Sequence, residues 1–172
     1  MPPRRSSAAQ GNLLKPGSLF EEDFFQRTFG DLIRVPDVAL TELVANAWDA
    51  GACKVTVEIP EKTGGVLSVT DDGSGLTKDE FAQRWMTLAY NRQRHQGADV
   101  QFPPERSEWR RKAYGRNGQG RHGLLCFGDE YDVETWRDGT CCRFHVAEGA
   151  GKEPLRSTLA NESRRSGHGT IV

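Results

Sequence analysis

The sequence predicts a single α/β domain, and three patterns predict it. Residues 40 to 52 carry helical periodicity. Residues 53 to 59 and 66 to 71 alternate as a hairpin, and residues 130 to 136 and 140 to 146 alternate as a second pair of strands. With 172 residues, 36% of them apolar and 27% charged, there is enough chain for one domain that buries roughly 70% of its unfolded surface.

Taken in order, residues 1 to 17 hold Pro2, Pro3, Arg4, Arg5 and Pro16-Gly17 with little to bury, and read as a flexible arm. The domain then runs from 18 to 172. Phe20, Phe24 and Phe25 follow a candidate cap at Ser18 and predict a first short helix over 18 to 29. The central helix, L-T-E-L-V-A-N-A-W-D-A-G-A, has Pro36 in its first turn and Gly51 past its end. Leu40, Leu43, Val44 and Ala47 make its apolar stripe. Glu42, Asn46 and Asp49, spaced by four and three, share the adjoining side, and no Lys or Arg lies between Asp37 and Gly51 to neutralise the acids. A metal ion with a phosphate ligand would supply the missing charge; a solvated acidic face is the equally weighted alternative.

The hairpin's second strand ends in D-D-G-S-G, residues 71 to 75. Gly73 and Gly75 let the backbone approach a flat ligand, and Asp71 is placed to accept a hydrogen bond inside a pocket; an ordinary Asp-Gly turn is the competing reading. Thr77-Lys78-Asp79-Glu80 is a capping box, which predicts a helix through about Asn91 with Phe81, Trp85 and Leu88 on one face. Residues 92 to 114 are basic and aperiodic, either disordered or a functional flap. They lead into G-R-N-G-Q-G-R-H-G, residues 115 to 123, whose backbone N–H groups at a helix entrance would suit phosphate oxygens. This is no Walker loop, since G-x-x-x-x-G-K-[ST] does not occur, and no dinucleotide fingerprint, since the residue 20 past Gly123 is Arg143. A turn at Asp138-Gly139 joins the next two strands, on which Cys141 and Cys142 should face opposite ways. Residues 149 to 167 read as loop or as a crossing to another edge, and G-H-G-T-I-V enters a last strand, which suggests a domain cut from a longer protein.

Composition excludes some classes. A formal charge of −1 argues against a dedicated nucleic-acid-binding domain. Cys53, Cys126, Cys141 and Cys142 show neither C-x-x-C nor a zinc-like His spacing, and fit a reducing compartment. No apolar run reaches membrane-spanning length and the start lacks a signal-peptide core, so the expectation is a soluble, cytoplasmic protein without a membrane partner.

The order of these strings is informative. An E-x-x-x-N-A-x-D-A helix, a D-x-G-x-G strand end, a charged flap, a G-x-x-G-x-G-x-x-G helix entrance and a late G-T resemble the GHKL ATPases over about residues 20 to 172. That superfamily includes the gyrase B subunit, the MutL and MORC proteins, the ninety-kilodalton heat-shock chaperones and the histidine kinases. The resemblance implies a two-layer left-handed-crossover α/β sandwich, a mixed sheet covered on one face by helices, with ATP between helices and a mobile lid. It implies Glu42 as general base toward the attacking water, Asn46 as magnesium ligand, and Asp49 as a polar pocket position. Asp71 would read the adenine amino group, supported by Thr170, with Gly73 and Gly75 allowing close approach. Gly118, Gly120 and Gly123 would belong to the phosphate-binding lid.

Departures from the pattern matter too. The family's Lys near the end of the third helix has only Arg92 or Arg94 to stand for it, and Arg116, Arg121 and His122 read first as solvated lid side chains. His95, His145 and His168 read as structural. The resemblance implies magnesium-dependent ATP hydrolysis, slow in the isolated domain, that drives a conformational switch and ATP-dependent homodimerisation in a full-length protein, with nucleic acid reached only through other domains. A histidine-kinase-type phosphoryl transferase is the alternative from another class, against which no His precedes His95. A nucleotide-binding module that does not hydrolyse ATP is the third reading.

Overall fold

The computed structural model describes residues 24–115, 118–149 and 153–172, without the side chains of 24–26 and 31. The predicted arm, Ser18, Phe20 and Arg116 lie outside the described residues. Helix α1 (Phe24–Phe29) runs into a 3₁₀ turn (Gly30–Ile33) and then α2 (Pro36–Asp49). Strands β1 (Val55–Glu58) and β2 (Ser68–Asp71) form the predicted hairpin, Val55 opposite Asp71. After α3 (Lys78–Glu80), α4 (Arg92–Gln96) and a 3₁₀ segment (Gly120–Cys126) come β3 (Glu130–Arg137), β4 (Thr140–Glu148), β5 (Leu155–Arg164) and β6 (Gly169–Ile171).

The six strands make one sheet in the order β1-β2-β6-β3-β4-β5. The α/β architecture is the one that the resemblance implies, with one correction: every pairing is antiparallel, where the resemblance implies a mixed sheet. The last strand slots between β2 and β3 and runs opposite to both. That insertion sets Thr170 directly beside Asp71.

One face of the sheet builds the core. Val69, Tyr131, Val133, Cys142, Phe144 and Val146 are buried with Leu43 of α2, Phe81, Trp85 and Leu124. Phe81 stacks on Phe144 with ring centres 3.7 Å apart, and Trp85 Nε1 donates to the Tyr131 hydroxyl at 3.2 Å. The other face carries ion pairs instead, Arg143 to Asp132 and Arg165 to Glu134. Asp138 and Gly139 both take positive φ, 54° and 80°, as a two-residue hairpin turn between right-twisted strands requires.

Three elements differ from the sequence reading. The capping box at Thr77 forms, but the helix continues only as a single π turn, Phe81–Trp85, and does not reach Asn91. Ala89, at φ 54°, cannot lie in a right-handed helix. Residues 155 to 164, read as loop or crossing, form the ten-residue edge strand β5. Val44 is exposed, and the buried stripe of α2 is Ala39, Leu43 and Ala47, spaced by four.

Candidate functional site

Helix α2 fixes the site because both of its ends are set locally. Pro36 opens it with Val35 extended before it. At the other end Gly51 N donates to Trp48 O and Ala52 N to Ala47 O, the paired bonds of a Schellman stop, with Gly51 at φ 77°. Ser74 N then donates to Ala50 O at 2.7 Å, tying the D-D-G-S-G turn to the end of the helix.

Between these parts lies a cavity of about 390 Å³, within the range typical of small-molecule sites. Glu42, Asn46 and Asp49 all line it, as do Asp71, Gly75, Gly118, Gly120 and Thr170. Gly73 and Gly123 do not. Gly73 sits behind Asp71 and donates its N–H to Asp71 Oδ1 at 2.7 Å. Gly123 packs against Ala39 and Leu32, where a methyl group would stand about 3.1 Å from the Ala39 backbone.

The neighbouring acids of the D-D pair are driven apart. Burial pushes Asp71 up to about 6, only partly offset by the Gly73 N–H. Burial also presses on Asp72, but the N–H groups of Lys54 and Cys53 and the Arg106 guanidinium outweigh it and hold Asp72 below the ordinary value. One carboxylate is left to face a ligand while the other is a structural clamp. Glu42 is also raised, first by burial and then by the charge of Asp49. A carboxylate with raised proton affinity is suited to accept a proton from water.

Asp49 has a second task that its helix position does not advertise. Its two oxygens accept the N–H groups of Tyr114 and Gly115 at 2.7 and 2.8 Å, and Arg92 Nε lies 3.8 Å away. Arg111 stacks over Trp48 at 3.9 Å and donates to the Trp48 and Ala52 carbonyls. Arg106 grips Asp72. The basic stretch of 92 to 115 is therefore fastened to α2 and to the β2 end as a wall of the cavity. Neutral backbone donors and buried guanidinium groups do this, which is why charge spacing alone did not reveal it.

The glycine turn closes the opposite side. Gly120 lies against Glu42 so closely that a Cβ there would strike the carboxylate. Thr135, fully buried and missed in the sequence, accepts the Leu76 N–H at 2.7 Å, donates to Gly169 O, and lies 3.4 Å from the Thr170 hydroxyl. It joins the wall after Gly75 to the strand that carries Thr170. Of the candidate cations, Arg92 reaches the cavity and Arg94 is exposed. His122, read as a solvated side chain, is fully buried with its ring edge-on to Phe29.

No group of three His, Cys, Asp or Glu side chains able to cage a metal exists among the described residues. Asn46 nevertheless lines the cavity with its Nδ2 enclosed and without a partner. Its amide is thus not spent on the protein, and its oxygen suits a hard cation held mainly by phosphates and water. The residues fit a shared ion and not a protein-only metal site.

Residues 33–163 match the family described as histidine kinase-, DNA gyrase B-, and HSP90-like ATPase. A DNA mismatch repair protein MutL of Rhizorhabdus wittichii is 43% identical over 53 residues, 31% of this chain and 9% of that protein. One from Shewanella baltica is 40% identical over 53 residues, 31% of this chain and 8% of its own length. The matched stretch therefore spans less than a tenth of these relatives.

Proposed function

This chain belongs to the family of histidine kinase-, DNA gyrase B- and HSP90-like ATPases, and from that premise we propose that its cavity binds ATP with magnesium, hydrolyses it, and uses the cycle as a conformational switch. The observation that carries the reading is convergence. Glu42 and Asn46 of α2, Asp71 and Thr170 of two adjacent strands, and Gly118 and Gly120 of the glycine turn line one cavity. Asp71 and Thr170 lie beside the end of α2, since Ser74 is bonded to Ala50. Glu42 lies eight residues earlier, about 12 Å along a helix axis.

The residues divide the work accordingly. Asp71 accepts from the adenine amino group through the oxygen that Gly73 leaves available, and Thr170 supports the same edge of the base. Asn46 would hold magnesium, which when bound neutralises charge between the phosphates. Glu42 orients the attacking water and takes its proton as the water adds to the terminal phosphorus and the ADP oxygen leaves. Since Gly120 rests against Glu42, phosphates entering beside that carboxylate displace the glycine turn. This displacement supports a switch, which in a full-length protein would promote association of two copies.

Thermal melting with nucleotides tests the reading. At a hundredfold excess over Kd, a ligand specific for the folded state adds about 2.7 kcal/mol, or roughly 5–10 °C for a domain of this size. ATP with magnesium is expected to give that shift. GTP is expected to give less than about 1 °C, because guanine turns a carbonyl toward Asp71 where adenine turns an amino group, and two acceptors cannot bond each other. Equal shifts with the two nucleotides would contradict the assignment of Asp71.

A further inference from the structure

Three guanidinium groups line the cavity among the described residues, those of Arg84, Arg92 and Arg121. Two are already neutralised. Arg84 pairs with Glu80 at 2.8 Å, and Arg92 faces Asp49 at 3.8 Å. Arg121 has only neutral company. It donates to the carbonyls of Gly118 at 2.7 Å and Thr87 at 3.4 Å, and its guanidinium carbon stands 5.6 Å from the centre of the Tyr90 ring. Its Nε is enclosed and has no partner.

An enclosed cation without a counter-charge is costly, and it is retained where something outside the chain supplies the anion. Burial lowers Arg121 to about 10, which still leaves it charged at neutral pH. Its charge, added to burial, in turn keeps the neighbouring His122 neutral by lowering it to about 3. Arg121 thus keeps its charge without an ion-pair partner among the described residues. Position says which part of a ligand would use it: Arg121 follows Gly120, whose backbone abuts Glu42, the end of the cavity away from the Asp71 turn.

We propose that Arg121 binds the terminal phosphate of the nucleotide, acting from within the glycine turn as the cavity-lining guanidinium that no carboxylate pairs with among the described residues. The role rests on the nucleotide reading given above and adds a specificity determinant to it. Binding exchanges a carbonyl-held guanidinium for a phosphate-held one, so Arg121 discriminates ATP from ADP and leaves the base untouched. Its planar fork can meet two phosphate oxygens at once, which a Lys ammonium cannot.

Calorimetric titration of ATP, ADP and adenosine with magnesium into the wild type, Arg121→Met and Arg121→Lys tests this. The Met variant is expected to lose at least tenfold in ATP affinity, to lose much less for ADP, and to bind adenosine as the wild type does. The Lys variant should fall between the two for ATP. The Met variant also loses the hydrogen bonds to the Gly118 and Thr87 carbonyls, so its melting temperature is measured as well; if it falls below the wild type, the Lys arm carries the test through its ATP-to-adenosine ratio. Unchanged ATP affinity, an equal loss for ADP, or a parallel loss for adenosine would each overturn the assignment. A wild type that binds adenosine and ADP but does not prefer ATP would also overturn it. A wild type that binds none of the three would instead sink the nucleotide reading, and this role with it, before any variant is compared.

Discussion

Asp71→Asn is expected to weaken ATP binding by roughly 10- to 150-fold, the worth of a hydrogen bond to a charged group, while leaving the empty protein no less stable at pH 8. The loss follows from which atom is already committed. One carboxylate oxygen accepts the Gly73 N–H at 2.7 Å. In Asn that place is kept by the amide oxygen, and the NH₂ group is left facing the cavity, donor against the adenine donor. The stability follows from the raised pKa. Burial lifts Asp71 to about 6 from 3.8, so the folded state binds the proton more tightly than the unfolded chain does. The resulting stability is complete below pH 3.8 and is lost as pH rises through about 6. At pH 8 the wild type no longer has it, and Asn has no charge to desolvate. The same shift predicts that wild-type ATP affinity falls as pH is lowered through about 6. Titration calorimetry and thermal melting of both proteins at pH 5.5 and 8 check all of this; tight ATP binding by the Asn variant would mean that the base sits elsewhere.

Glu42→Ala is expected to keep ATP binding within a few-fold of wild type and to cut phosphate release by roughly 10²–10⁴, the usual contribution of a positioned general base. Binding survives because Glu42 meets the water and not the base of the nucleotide. Burial and the Asp49 charge raise Glu42 above the ordinary carboxylate value, so the acid limb of the rate profile in the wild type should lie above that of a free glutamate. Single-turnover phosphate release separates the two effects. Wild-type rates in the Ala variant would remove Glu42 as the base.

What could be read in the letters had a local cause. Helix α2 announced itself through Pro36, Gly51 and a polar stripe at helical spacing, and all three stripe residues line the cavity. The Asp138-Gly139 hairpin and the Thr77 capping box likewise depend on a few adjacent residues. What stayed hidden depended on distant parts of the chain. Strand β5 is exposed along nearly its whole length, so L-R-S-T-L-A-N-E-S-R needs no alternation; its pairing with β4 holds it in place. Arg121 looks like any solvated lid residue until the loop folds its Nε out of water. Asp49 reveals its clasp only when the N–H groups of Tyr114 and Gly115 arrive from 65 and 66 residues away.

The central claim is that one adenine nucleotide occupies the space shared by α2, the turn after β2 and the glycine turn. Hydrogen exchange of the protein with and without a non-hydrolysable ATP analogue and magnesium measures this directly. Slowed exchange is expected at the N–H groups of Gly73 to Leu76 and of Gly118 to His122, with little change along β5. Protection confined to the ion-paired face of the sheet, or absent from both turns at saturating analogue, would contradict it.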